Sequence, residues 1–373
     1  MNFTEGILKN DEYAIYKLRE LYRQYGYSHY KVSKFEEYDL YARNKSFLIS
    51  ENILTFTDTN GKLMALKPDV TLSIVKNVSG NELATNKLYY NETVYRTSAG
   101  SDGFREIMQT GLECIGTLDI YAVCEVIMLA QKSLSLISND YILDISHMGF
   151  LTGLLENAGI PKEDVKVMLS RIANKNKSEI LAYCAAHGTS AEATEAICAV
   201  TDLYAPLKEA LPKIQALVCG KKMQKAYEQL CEIQSMLKLY GNEKRIYLDF
   251  SMIHDMSYYN DIIFRGFLNG IPESVLSGGR YDSLLEKMGK KANAIGFAVY
   301  LDRLEYLPTA QDAFDFDVLL TYDDSVSTDR IVKTVEALRA EGKRVRVQQH
   351  EADTLRCRTC LHLSGQETED KDQ

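Results

Sequence analysis

No run of this chain approaches the roughly 18 consecutive apolar residues of a bilayer-spanning helix, so no membrane passage is expected. The first residues, Met1–Gly6, carry neither a basic stretch nor an apolar one, which removes a secretory signal from expectation. Proline is scarce, at six residues, and no long Ser/Gly tract interrupts the chain, so compact, continuous folding is expected. Positive charge is in deficit. The net charge of −9 argues against a general polyanion binder, because nucleic-acid affinity rests on neutralising phosphates with Lys and Arg. The eight cysteines are scattered, which suits a reducing cytoplasm better than a disulfide framework. No internal repeat of fixed period is present. What remains is ordinary for a globular protein: 46% hydrophobic and 25% charged residues, in a length of 373 that allows two or three domains.

The pattern is mixed α and β. Ala14, Leu18, Leu21, Tyr22 and Tyr25 follow helical spacing, with Gly26 where the helix stops. Residues 53–66 read as a hairpin around a type I′ turn at Asn60-Gly61. A second pair of strands is predicted at 87–96 and 104–116, followed by a helix over 119–137. Hairpins interleaved with helices predict an α+β domain built on an antiparallel sheet. From 159 to 240 the chain is rich in Ala, Leu, Lys and Glu, without a convincing strand, and reads as a helical insertion. Strands resume at 245–250 and 261–264, and a short α/β unit is expected beyond 312, ending in a polar, frayed tail from Leu363.

Four clusters carry candidate chemistry. The most informative is Ser-Gly-Gly-Arg-Tyr-Asp at 277–282, followed by an apolar segment, 295–304, that bears Arg303. Gly278 and Gly279 allow close approach of backbone to a ligand, and Arg303 amid apolar residues calls for an anionic partner. After the hairpin, Asp69 and Thr71 follow Pro68; they can face a cationic group or merely cap a helix. On the strand 104–115, alternation puts Arg105, Gln109 and Glu113 on one face, which lines either a groove or a solvated surface. Near 252–260, His254 is a base, a ligand or a structural residue, and the adjacent Tyr258 and Tyr259 point to opposite faces of a strand, so that one of them meets a given pocket. Cys357, Cys360 and His362 supply half a metal site, with no second pair to complete it. Neither a metal nor a cofactor is expected.

Taken in order, the hairpin, Pro-acid-x-Thr, Tyr95-Arg96, Arg-x-x-x-Gln-x-x-x-Glu, Tyr-Tyr-Asn, Gly-Gly-Arg-Tyr-Asp and Asp302-Arg303 resemble the motifs of histidyl-tRNA synthetases over about 1–310. The resemblance implies a class II aminoacyl-tRNA synthetase-like core, an antiparallel sheet flanked by helices, formed by 1–158 and 241–311. The helical insertion (159–240) and a short, truncated anticodon-domain-like unit (312–373) complete the expected domains. It also implies a histidine pocket made of Asp69, Thr71, Arg96, Gln109, Glu113, Tyr258 and Tyr259, and an inherited nucleotide or anion site at Arg105, Gly278, Gly279, Arg280 and Arg303.

The chain departs from the synthetase pattern where adenylation needs it most. The glutamate that reads adenine is absent from Arg96-Thr97-Ser98, Ile107 stands in place of the stacking aromatic, and the activating arginine is missing from 254–257. These losses, and the small C-terminal region, make the chain similar to the ATP phosphoribosyltransferase regulatory subunits. The resemblance then implies a non-catalytic, cytoplasmic partner of a short-form catalytic subunit, responsive to histidine, homodimeric within a hetero-oligomer, and without tRNA binding. A divergent histidyl-tRNA synthetase and a free-standing histidine-binding module are the alternative readings.

Overall fold

The structure is a computed structural model and describes residues 8–48, 52–78, 85–97, 103–241, 243–252, 258–307, 314–350, 355–365 and 368–371. Of the sequence expectations, those on His254 and its neighbours 253–257 and on Ser98 lie outside the described residues. The chain divides into a large unit, Leu8–Leu307, and a small one from Pro308 onward.

The large unit opens with α1 (Asn10–Gln24), which buries Ala14, Leu18, Leu21 and Tyr22 at the predicted spacing. Gly26, at φ 80°, then adopts the left-handed conformation that ends the turn. β1 (Ser28–His29) follows, then β2 (Phe35–Glu37), α2 (Tyr38–Arg43), β3 (Thr55–Thr57) and β4 (Leu63–Leu66). The hairpin at 53–66 is present, but its turn is not type I′. Five residues, 58–62, separate the paired Thr57 and Leu63. Asp58 accepts hydrogen bonds from the amides of Asn60 and Lys62, and only Gly61 takes positive φ. The Asp58 carboxylate organises a longer loop that the Asn-Gly pair alone did not reveal. β2 adds a third strand beside β4.

After α3 (Thr71–Asn77) come the long strands β5 (Asn86–Thr97) and β6 (Phe104–Gly116), α4 (Ile120–Ile137), β7 (Tyr141–His147) and α5 (Met148–Asn157). α4 is long and apolar enough to cross a membrane, against the sequence expectation that no segment is. It is mostly buried instead, and starts at the Asp119 cap. The insertion contributes α6 (Lys162–Ala173), α7 (Lys177–Ala186), α8 (Ala191–Asp202), α9 (Leu207–Gln215) and α10 (Gly220–Leu239). It is not strand-free: β8 (Tyr204–Pro206) pairs antiparallel with β9 (Ile246–Asp249) and forms one edge of the main sheet. Three residues containing a proline carry no alternation that sequence reading can detect. β10 (Ile262–Leu268), β11 (Leu276–Arg280), α11 (Asp282–Lys287) and β12 (Asn293–Tyr300) complete the unit, with a 3₁₀ turn at Leu301–Tyr306.

The main sheet has nine strands in the order β1-β5-β6-β12-β11-β10-β7-β9-β8, antiparallel except at β1/β5 and β7/β9. Its two faces carry separate cores. Leu112 and Cys114 of β6 pack with α1 and α4 in one, while Val94 and Ile115 join Leu72, Ile74, Tyr258, Tyr281 and Leu284 in the other. Every residue of β6 from Gln109 to Gly116 is therefore buried. The face holding Gln109 and Glu113 is not a solvated surface, because α3, α11 and the 258–259 segment cover it.

The small unit holds β13 (Phe316–Tyr322), α12 (Thr328–Ala340), β14 (Val345–Gln348), β15 (Cys357–Leu363) and β16 (Thr368–Lys371), with strand order β14-β13-β15-β16. The expectation of a frayed tail from Leu363 is corrected in part, because 368–371 pair antiparallel with β15. The Cys357 and Cys360 sulfurs lie 3.0 Å apart, and His362 Nδ1 sits 2.9 Å from the Thr321 hydroxyl. Among the described residues no three His, Cys, Asp or Glu side chains converge as metal ligands.

Candidate functional site: a buried acidic pocket on the main sheet

The turn 67–71 is pinned against β5. Lys67 is buried and its ammonium meets the Glu92 carboxylate at 2.5 Å, while its carbonyl accepts from the Tyr95 amide. Arg96 Nε donates to the Pro68 carbonyl at 2.6 Å. Asp69 Oδ1 then accepts from the Leu72 amide at 2.8 Å, capping α3. The helix-cap reading of Asp69 is thus met, and the residue still lines the pocket, with Oδ2 3.8 Å from Arg96 Nη2.

Glu113, 2% exposed, is the floor. Oε1 accepts from the Thr71 hydroxyl at 2.8 Å and Oε2 from the Tyr281 hydroxyl at 2.6 Å. Burial pushes its carboxyl up to about 8, the two hydroxyl bonds pull it down, and nearby Asp69 raises it further. Asp69 is also raised, chiefly by burial, against the opposing charge of Arg96. Tyr281 and Tyr90, both buried, have phenols held neutral by the same desolvation. Gln109 is 2% exposed, and its Nε2 has no partner within the protein. Buried donors are rarely left unmet, so this amide has a proton to offer an acceptor in the pocket.

All seven residues assigned to the amino-acid pocket converge: Asp69, Thr71, Arg96, Gln109, Glu113, Tyr258 and Tyr259 line one pocket. The expectation that only one of the paired tyrosines meets it is corrected. Residues 258–259 precede β10 and are not in a strand, so alternation does not apply. Their rings pack edge to face at 4.8 Å. Tyr90, Tyr281, Phe297 and Tyr300 also line the pocket and were not assigned from the sequence. Tyr281 lies inside the Gly-Gly-Arg-Tyr-Asp motif, where its place between two charged residues was the available signal.

The residues assigned to a nucleotide or anion site lie outside the lining of this pocket. Arg105 lies opposite Arg96 across the β5–β6 pair and is exposed, outside the pocket lining. Gly278 and Gly279 make room for protein: an added Cβ would fall 2.5 Å from Phe297 Cβ at Gly278 and 2.6 Å from the Tyr259 ring at Gly279. Arg280 Nε donates to Asp282 at 2.8 Å and Nη1 lies 3.5 Å from Asp261. Arg303 is not in apolar surroundings; it pairs with Glu273 at 2.7 Å, bonds the Ser274 carbonyl and stacks on Tyr300. Both guanidinium groups already have carboxylate partners.

An antiparallel sheet flanked by helices, with a polar pocket on the face of its longest hairpin, defines a class II aminoacyl-tRNA synthetase-like protein. The family model for histidyl-tRNA synthetase matches residues 8–304. Among curated proteins, the chain is 30% identical to the ATP phosphoribosyltransferase regulatory subunit of Thermoanaerobacter pseudethanolicus, over 90% of this chain and 89% of that one. It is 27% identical to the protein of that name from Oceanobacillus iheyensis, over 95% and 88% of the two chains. A Bacillus halodurans structure described as an ATP phosphoribosyltransferase regulatory subunit/histidyl-tRNA synthetase superposes with a TM-score of 0.74 at 22% identity, covering 98% of this chain and 99% of that one. A Thermotoga maritima ATP phosphoribosyltransferase complex has a chain that superposes at 0.62 and 20% identity, covering 78% and 97%. The chain belongs to the histidyl-tRNA synthetase-like family of ATP phosphoribosyltransferase regulatory subunits.

Proposed function

We propose that this chain is the non-catalytic regulatory subunit of a short-form ATP phosphoribosyltransferase, that it activates that subunit, and that it transmits histidine feedback through the pocket on β5 and β6. The observation that carries the reading is the match between the pocket's polar groups and a free amino acid. Asp69 and Glu113 are acids that a cationic N–H can satisfy, while Arg96 and the unpartnered Gln109 amide are donors suited to a carboxylate or a ring nitrogen. The tyrosines close the walls without adding charge. Regulation then requires histidine to bind two states of the complex unequally, since only differential affinity moves an equilibrium. A homodimer within a hetero-oligomer, in the cytoplasm and without tRNA, belongs to the same reading. What supports the absence of adenylation is sequence: Ile107 stands in place of an aromatic, and Arg96-Thr97-Ser98 lacks the adenine-reading acid.

The test is twofold. Calorimetric titration with L-histidine should give saturable binding that Glu113→Gln and Asp69→Asn each weaken, on proteins that melt cooperatively. Unchanged affinity in both variants removes the pocket from the account. Robust histidine-dependent ATP–pyrophosphate exchange by the purified chain favours a divergent synthetase instead.

A further inference from the structure

Arg280 does not line the pocket, yet it belongs to a continuous polar path from the helical insertion to the pocket floor. On α10, Gln229 Oε1 lies 3.0 Å from His147 Nε2, at the end of β7. The same Nε2 lies 3.0 Å from Asp261 Oδ1. His147 Nδ1 accepts from the Gly149 amide, which fixes the tautomer with its proton on Nε2, shared between the glutamine and the aspartate. Asp261 Oδ2 reaches Arg280 at 3.5 Å, and Arg280 Nε donates to Asp282 at 2.8 Å. Asp282 is held in turn by the Ala294 amide, the Asn293 side chain and, through its own amide, Asn260. The Asn260 amide donates to the Arg280 carbonyl, closing the loop beside Tyr259.

Tyr281 stands between the two anchored residues, and its hydroxyl carries the Glu113 carboxylate. Tyr258 packs on the Tyr281 ring at 5.7 Å. We infer that His147, Asp261 and Arg280 are positioning residues, a strut through which the helical insertion sets the placement of Tyr281 and hence the ligand affinity of the Glu113 pocket. The inference rests on the pocket reading above for its ligand, but the strut itself is a property of the free chain. Its geometry suits coupling. The path is made of groups with few alternative partners in a largely buried setting, where losing one leaves its neighbours unsatisfied. Asp261 is held below the usual carboxylate range by His147 and Arg280, against the opposing effect of burial. A guanidinium that the sequence assigned to a bound anion has an internal carboxylate to hold instead.

The experiment uses the full chain, with Gln229→Ala at the insertion end, Tyr281→Phe at the pocket end, and both together. Hydrogen–deuterium exchange of peptides covering 276–284 is read without ligand, and L-histidine affinity is read by calorimetry. The strut predicts that Gln229→Ala speeds exchange in 276–284 several-fold and weakens histidine about 3-fold or more. It also predicts that the double variant loses less than the product of the single losses, as coupled neighbours do. Gln229→Glu, which keeps the acceptor, should restore both readouts. Because Gln229 is a partly exposed residue on the insertion, its variants test the path without removing a core group. Unchanged exchange in Gln229→Ala, or independent losses in the double variant, overturns the strut. If the wild-type chain takes no histidine, the pocket reading falls, while the exchange measurement still decides the strut.

Discussion

Replacing Glu113 by glutamine should give the free chain a stability advantage over the wild type that grows as pH rises. In the folded chain, burial lifts the Glu113 carboxyl to about 8 from an ordinary 4.5. The folded state therefore binds this proton more tightly than the unfolded state does. The sign follows directly. The wild type has its full stability below about pH 4.5, loses it as pH rises toward 8, and is level beyond, because the unfolded state alone ionises freely across that window. At about 1.4 kcal/mol per pH unit, the loss is of order 5 kcal/mol. Glutamine keeps an acceptor for the Tyr281 hydroxyl and has no proton to lose. The difference in unfolding free energy between Glu113→Gln and wild type should thus grow by several kcal/mol between pH 5 and 9. Urea denaturation at 25 °C across that range measures it. Asp69, raised in the same direction, is common to both proteins. Parallel pH profiles for the two proteins would refute the claim that burial outweighs the two hydroxyl bonds and holds the Glu113 carboxyl protonated above its ordinary range.

Three further outcomes follow from the same geometry. Gly296→Ala should destabilise the chain by about 1–3 kcal/mol and abolish histidine binding, because the new Cβ would fall 1.8 Å from Glu113 Oε2 and 2.5 Å from the Leu112 carbonyl; a normal melting curve with normal affinity would contradict this. Glu92→Ala should cost about 3–5 kcal/mol in denaturant unfolding, since it strands the buried Lys67 ammonium, whereas Glu37→Ala, at an exposed pair with Lys62, should cost less than about 1 kcal/mol. Gln109→Met should leave stability nearly unchanged, because the amide nitrogen has no partner to lose, while histidine affinity drops at least about 10-fold; a large stability loss would show that the amide is bonded in the free chain.

The sequence carried the sheet's long hairpin, its helices and the membership of the pocket, because these are written in alternation, helical spacing and motif order. Arg105, Gln109 and Glu113 were placed on one face by alternation alone, and the register Arg96↔Arg105 agrees. Whether that face was wet or dry was not legible, since it depends on α3, α11 and Tyr258 folding over it from far along the chain. The expectation that only one of Tyr258 and Tyr259 meets the pocket fails for the opposite reason: strand alternation does not hold in a segment that is not a strand. Arg280 and Arg303 read as anion ligands because their carboxylates, Asp261 and Glu273, declare themselves only in three dimensions. The turn at Asp58 and the three-residue β8 were missed because single hydrogen-bonding residues and very short strands leave no periodic trace.

The central claim is that this chain regulates another and does so through histidine. The direct measurement is the rate of phosphoribosyl transfer from phosphoribosyl pyrophosphate to ATP by a purified short-form catalytic subunit, with and without this chain, as L-histidine is titrated. The account predicts that the rate rises on adding the chain and falls again with histidine, and that Glu113→Gln keeps the rise while blunting the fall. A rate that is the same with and without the chain would contradict it.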